Sequence, residues 1–400
     1  MQYQFSDRIS GLKPSAIREI LKVTQDPSVI SFAAGNPSPE SFPAAEMAEI
    51  AADLFRNRAG EALQYGMTEG YMPLRQQTAK RLREKYRIGT DGDDLIITSG
   101  GQQALELAAK VFLNEGDTLI CEDPSFVGAL NAFRSYRVRL VGCPTDELGM
   151  RMDILENLLK TQPRVKVIYT IPTFQNPSGR TMPESRRREM LALAEKYNVM
   201  ILEDNPYFEL RYSGEPVPAI KSMDLNGRVI YAGSYSKVLA PGIRMGFACA
   251  PREVIGKMVV AKQTSDVHSN LFFQMVISEY LNRYDLDAHI EQVRGLYRHK
   301  RDVMLDAIGR HFDKRVSVTH PDGGLFLWVQ LPDGCDGFAL CERAGAQKVA
   351  AVPGVSFLVN DEMKSPGIRL NFSLPSDSQI ETGIAILGKV IEDYLKEVEA

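Results

Sequence analysis

Five cysteines are scattered along the chain, at Cys121, Cys143, Cys249, Cys335 and Cys341, and none stands in a C-x-x-C pair. An odd count with that spacing argues against a disulfide framework and a zinc site. Three of the five lie in or beside apolar runs, where a free cysteine behaves as a small buried hydrophobe. A reducing cytoplasm is the expected setting. No apolar run reaches the roughly eighteen residues that a membrane span needs, and the polar opening Met1 to Ser10 lacks the apolar core of a secretory signal. No long basic block occurs and the net charge is −4 with both signs interspersed, so neither nucleic acid nor membrane is an expected partner. Internal repeats and low-complexity segments are also missing.

What is present is an ordinary globular composition, 44% hydrophobic and 24% charged. Four hundred residues exceed what one core usually covers, so two domains are expected. After an irregular arm to Gly11, Pro14, Ala16, Ile17, Ile20 and Leu21 read as a short amphipathic helix. Helical patterns follow from Ala44 to Arg58 and from Met72 to Tyr86. From Asp94 onward short apolar strands alternate with amphipathic helices: Leu95 to Thr98, Thr118 to Cys121, Val138 to Cys143, Val165 to Thr170, Val199 to Leu202, Val229 to Ala232 and Ile243 to Cys249. Such near-continuous apolar strands mean a mostly parallel sheet covered on both faces. Past Pro251 helices dominate to about His311. The tail mixes strands (Leu325 to Gln330, Val349 to Val352, Ile368 to Phe372) with helices, which reads as a smaller α+β domain.

The chemistry centres on Val229 to Gly246, where an apolar strand breaks into Gly-Ser-Tyr-Ser-Lys, presenting Lys237 and then Arg244. A lysine among Gly233, Ser234 and Ser236 at a strand end suits a phosphate-bearing aldehyde held as a Schiff base. Such a site also needs an acid for a pyridine nitrogen, a phosphate cup, a ring platform and a carboxylate anchor. Asp204 closes the strand Val199 to Leu202, where ligands bind in open α/β sheets. It is either the ring's acid or a turn aspartate before Pro206. Tyr207 either reaches the phenolic oxygen or packs in the core. Asn176, in the turn Asn-Pro-Ser-Gly past the strand Val165 to Thr170, points at the same crevice. Ser99-Gly100-Gly101-Gln102 joins a strand to a helix, so backbone N–H groups there can approach a phosphate. The spacing is not the dinucleotide fingerprint, and no P-loop is present. Phe126 either stacks on a ring or folds inward. Arg369 interrupts an apolar strand; a buried arginine must be paired, by a substrate carboxylate or by a structural acid.

Asn176, Asp204, Lys237 and Arg244 occur in the order and spacing of a known pattern. With Ser-Tyr-Ser-Lys (234–237), Pro-Gly-Ile-Arg-Met-Gly (241–246) and Glu-Asp-Asn-Pro-Tyr (203–207), the whole chain resembles the class I and II aminotransferases. Pro-Ser-Ala-Ile-Arg (14–18), Gln-Tyr-Gly (64–66), Gly-Gln-Gln-Ala-Leu (101–105) and Gln-Asn-Pro-Ser-Gly (175–179) make it similar to the branch with 2-aminoadipate (kynurenine) and multi-substrate enzymes. The resemblance implies an α/β fold of pyridoxal-phosphate-dependent fold type I. It has a large domain with a mostly parallel seven-stranded sheet, here residues 46–295, a small domain at 296–400, and an arm with a small-domain segment at 1–45. It implies pyridoxal 5'-phosphate on Lys237, with Asp204 on the pyridine nitrogen and Asn176 and Tyr207 on the phenolic oxygen. Gly101, Gln102, Ser234, Ser236 and Arg244 take the phosphate, and Phe126 stacks on the ring. Arg369, Asn176 and backbone at Gly35 take the substrate carboxylate. Tyr65 reaches the phosphate of a neighbouring subunit, which implies a homodimer with shared sites.

The expected reaction is transamination between an amino acid and a 2-oxo acid, 2-oxoglutarate being the expected acceptor, with Lys237 as general base and ping-pong kinetics. The bound cationic cofactor is the expected cause of a lowered Lys237 pKa. Arg18 either pairs a distal substrate carboxylate or is a solvated helix arginine. Two other readings share the scaffold: a carbon–sulfur β-lyase and a non-catalytic ligand-sensing domain.

Overall fold

The computed structural model describes residues 3–10, 12 and 26–399. The helix expected from Pro14, and Arg18 with it, lie outside the described residues. In chain order the strands are β1 (Ile30–Ser31), β2 (Asp93–Thr98), β3 (Thr118–Asp123), β4 (Arg139–Asp146), β5 (Gly149–Met150), β6 (Val165–Thr170) and β7 (Met200–Asp204). Then come β8 (Val229–Ser234), β9 (Gly246–Pro251), β10 (Ser317–Val318), β11 (Phe326–Gln330), β12 (Val349–Ala350), β13 (Val352–Pro353) and β14 (Gly367–Asn371).

The main sheet has the order β2-β9-β8-β7-β6-β3-β4-β5. Strands β8, β7, β6, β3 and β4 run parallel, while β9 is antiparallel to both its neighbours. Seven long strands match the expectation, and the two-residue β5 adds an eighth at the edge. Alternate side chains supply opposite faces, as the pleat requires. Leu119, Cys121, Val167, Tyr169 and Leu202 pack under the helices Gly101–Phe112, Val127–Arg134 and Arg252–Gln263. Ile120, Ile168, Ile201 and Val229 pack under Met152–Thr161 and Glu184–Tyr197. Each fully buried aliphatic side chain contributes about 1.5–3 kcal/mol, and double-sided burial pins the register. That register places Asp204, the last residue of β7, opposite Ala232 of β8, so the carboxyl ends of the two strands lie level.

A second, antiparallel sheet has the order β10-β11-β14-β13. Its β14 carries Arg369 opposite Trp328 of β11 and Val352 of β13. The long helices Leu286–His311 and Asp377–Glu399 pack together in this half of the chain. The expected strand Val349 to Val352 is two pieces: β12 pairs with β1, and β13 with β14.

The expected strand Ile243 to Cys249 starts later, at Gly246. Pro241–Ile243 form a 3-10 turn, and Arg244 takes a left-handed backbone (φ 53°) that no strand can contain. Cys121, Cys143, Cys249 and Cys335 are buried free thiols. Among the described residues, no helix is long and apolar enough to cross a membrane, and no cluster of His, Cys, Asp and Glu is arranged to hold a metal ion.

Candidate active site

The carboxyl ends of β6, β7 and β8 open into one cavity of about 340 Å³. Lys237, Asp204, Tyr207 and Asn176 line it, with Arg369 reaching in from β14. Gly101, Gln102, Ser234, Ser236 and Arg244 form one wall; Gly35 and Phe126 are also in the lining.

Lys237 Nζ donates to the Gly35 carbonyl at 2.8 Å and sits 5.8 Å from the centre of the Tyr207 ring. Burial, then the charges of Arg369 and Arg244, draw its pKa down to about 8. The lowering expected from a bound cofactor is thus already present in the protein alone.

Asp204 is buried, and the Tyr169 hydroxyl donates to its Oδ2 at 2.9 Å. Burial outweighs that bond and raises the carboxyl pKa to about 7. A buried carboxylate with a neutral donor and no cation is a costly arrangement unless a cation is supplied.

Arg369 is also buried. Its Nη1 donates to Asn176 Oδ1 at 2.9 Å and its Nη2 to the Ala33 carbonyl at 2.7 Å. These partners are neutral, so the structural acid considered from the sequence is not what holds it. Nε is buried without a partner. The guanidinium lies 4.2 Å from the Phe326 ring centre and 4.9 Å from that of Phe357, a stacked setting that suits arginine. Burial lowers its pKa to about 10, with Tyr207 opposing. Tyr207 stands edge-on to Phe326 at 5.8 Å, and burial raises its hydroxyl pKa.

The helix Gly101–Phe112 begins at Gly100 without a side-chain cap, so its first N–H groups face the cavity wall uncapped. Gly100 has φ +78°, and a Cβ there would run into the Arg244 guanidinium. The left-handed turn at Arg244 aims that side chain back over the loop, where Nη2 donates to Ser99 O at 3.4 Å and Nη1 to Pro241 O at 3.2 Å. Ser234 Oγ accepts from Ser236 N–H at 3.1 Å. Three cations and one acid thus face a common cavity beside an uncapped helix start, an arrangement made for an anionic guest.

Tyr65 is the sequence-expected residue that the fold leaves apart: it is 82% exposed, edge-on to His268 at 5.8 Å, and outside the cavity lining. Arg18 lies outside the described residues. The sequence reading missed Tyr169 and Phe326. Each is an aromatic inside an apolar strand, and only strand register tells which of those face a site.

A family model described as aminotransferase class I and II matches residues 27–387. The chain is 44% identical over 397 residues to aromatic-amino-acid aminotransferase 1 of Thermococcus litoralis, covering 98% of this chain and 95% of that protein. It superposes with a TM-score of 0.94, at 42% identity over 98% of both chains, on the multiple substrate aminotransferase from Thermococcus profundus. LysN, the alpha-aminoadipate aminotransferase from Thermus thermophilus complexed with N-(5'-phosphopyridoxyl)-L-leucine, superposes with a TM-score of 0.90 at 37% identity over 98% of both chains. Fold and neighbours together define a pyridoxal-phosphate enzyme of fold type I. The chain belongs to the class I and II aminotransferases. It is a pyridoxal-phosphate-dependent transaminase acting between an amino acid and a 2-oxo acid.

Proposed function

We propose that Lys237 is the residue through which this transaminase holds its cofactor and moves the substrate proton. The supporting observation is the single cavity that Lys237 shares with Asp204, Arg244 and Arg369. The residues fit pyridoxal phosphate for two reasons. Buried Asp204 lacks a cation, and a protonated pyridine nitrogen is one. Arg244 and the uncapped start of the helix Gly101–Phe112 line the same cavity, and a phosphate is an anion that they suit. Pyridoxal phosphate supplies an aldehyde that condenses with amines and a ring that withdraws electrons.

The chain's own residues do the rest. Asp204 keeps the ring nitrogen protonated, and Asn176 and Tyr207 donate to the phenolic oxygen. Gly101, Gln102, Ser234, Ser236 and Arg244 bind the phosphate, and Phe126 stacks on the ring. Arg369, with Asn176 and backbone at Gly35, orients the amino acid by its α-carboxylate. The freed Lys237 amine, its pKa drawn down toward physiological pH, accepts the α-proton in its neutral form and returns it on the other side of the transfer.

The donors we propose are 2-aminoadipate and aromatic or aliphatic amino acids, with 2-oxoglutarate as acceptor; the relatives' names support that range. Arg18 pairs the distal carboxylate of an acidic donor. Residues 46–295 form the cofactor-holding domain and 296–400 the smaller one, with 1–45 as the arm and a segment of the small domain. The enzyme works as a cytoplasmic homodimer, and Tyr65 of one protomer reaches the phosphate of the other's site. Its exposure beside exposed Leu63 and Met67 supports that reading.

An amino-donor panel with 2-oxoglutarate tests the proposal. Glutamate forms from acidic and aromatic donors with parallel double-reciprocal lines. Intersecting lines, or no glutamate from any donor, overturn it. Pyruvate and ammonia from a cysteine conjugate without an acceptor would favour the β-lyase reading instead.

A further inference from the structure

Behind the turn Ser99–Gly101 lies a charged group that none of these roles employs. Lys262, near the end of the helix Arg252–Gln263, is fully buried. Its ammonium donates to both carboxylate oxygens of Asp266 at 2.8 and 2.9 Å, to Ser269 Oγ at 3.0 Å and to Gln103 Oε1 at 2.6 Å. Neither Lys262 nor Asp266 is in the cavity lining.

Both are tied to the turn that is. Asp266 Oδ2 accepts from Ser99 Oγ at 2.9 Å and from Gln103 Nε2 at 2.8 Å. Gln103 Oε1 also accepts from the Ser99 N–H at 2.8 Å. Ser99 is therefore held through backbone and side chain at once. The Gln103 amide has a distinct partner at each end, which fixes its orientation.

Lys262 is buried while Asp266 is partly exposed, and such an ion pair is by itself poor evidence of stabilisation. This pair is aimed at one turn. That turn has no side-chain cap and passes through Gly100, the residue with the most backbone freedom. Backbone N–H groups recognise a phosphate well only when they are already in place.

We infer that Lys262 and Asp266 are positioning residues for phosphate recognition: through Gln103 and Ser99 they fix the turn whose N–H groups meet the cofactor phosphate. The inference rests on the phosphate role proposed for Gly101 and Gln102.

The test compares two ligands on the full chain stripped of cofactor: pyridoxal phosphate, and pyridoxal, which lacks the phosphate. Lys262→Met weakens pyridoxal phosphate binding about tenfold, the worth of one buried charge-assisted bond, and leaves pyridoxal binding within about twofold. Ser99→Ala keeps the ion pair whole and cuts one link. It shows the same selective loss on a smaller scale, and decides the matter should the methionine variant not fold. Equal losses for both ligands, or no loss for pyridoxal phosphate, overturn the inference. If the unaltered chain binds both ligands equally, the phosphate role of the turn itself falls. If it binds neither, the cofactor reading falls first.

Discussion

The 2.9 Å hydrogen bond from Arg369 Nη1 to Asn176 Oδ1 joins the two sheets of the molecule. Arg369 stands on β14 of the smaller sheet, and Asn176 lies in the turn after β6 of the larger one. The proposed carboxylate anchor and the residue proposed to reach the phenolic oxygen are thus fixed to each other before any substrate arrives. Their spacing depends on how β14 and β6 sit together.

Arg369→Ala is expected to cost about 2–5 kcal/mol of transition-state binding, a loss in kcat/KM of at least about thirtyfold. The variant still takes up cofactor and shows a visible band. Arg369→Lys keeps the charge but not the two-pronged fork, and falls between. Steady-state kinetics with a visible spectrum check both; an alanine variant with undiminished kcat/KM contradicts the anchor.

Asp204 predicts a pH effect on stability. Its pKa rises from the ordinary 3.8 to about 7 in the cofactor-free fold, because burial disfavours its charge. The folded form then holds a proton that the unfolded form has lost, so stability falls as pH rises from about 4 to about 7. Cofactor loading supplies a cation and removes much of that loss. Melting curves of cofactor-free and loaded protein across this range are the check, with Asp204→Asn flattening the cofactor-free slope. Glu122, also buried and raised to about 7, shares the window, so the slope shrinks without vanishing. A slope that Asp204→Asn leaves untouched refutes the assignment.

Much of this site was legible before the fold. Lys237, Asp204 and Asn176 each follow an apolar strand, and parallel strands bring their carboxyl ends to one edge. Register was not legible. Tyr169 and Leu202 face each other only because β6 and β7 pair as they do, so the donor to Asp204 could not be named. Arg244 was visible as a residue, but not its left-handed backbone, because the strand pattern of Ile243 to Cys249 runs unbroken through it. Nothing in the sequence around Lys262 marks it as buried; only the packing of its helix beside Gly101–Phe112 buries it.

Lys237 predicts a pH dependence of turnover. With its pKa drawn down to about 8 by burial, Arg369 and Arg244, the neutral amine is lost as pH falls. The kcat should rise from about pH 7, reach half its plateau near pH 8 and level off above about pH 9. A flat profile across that span argues against Lys237 as the base.

Tyr65 predicts shared sites. Sedimentation should give twice the 44.6 kDa chain mass. Tyr65→Phe should weaken cofactor binding several-fold without changing the sedimenting species. A fully active monomer contradicts the arrangement.

The central claim is that the cofactor is joined to Lys237. Borohydride added to the holoenzyme should bleach the visible band and fix the carbon–nitrogen bond, and peptide mapping should find the phosphopyridoxyl group on the peptide holding Lys237 and nowhere else. Lys237→Ala should bind cofactor without this label and without turnover. A label on another lysine, or catalysis near the unaltered rate in Lys237→Ala, would contradict the account.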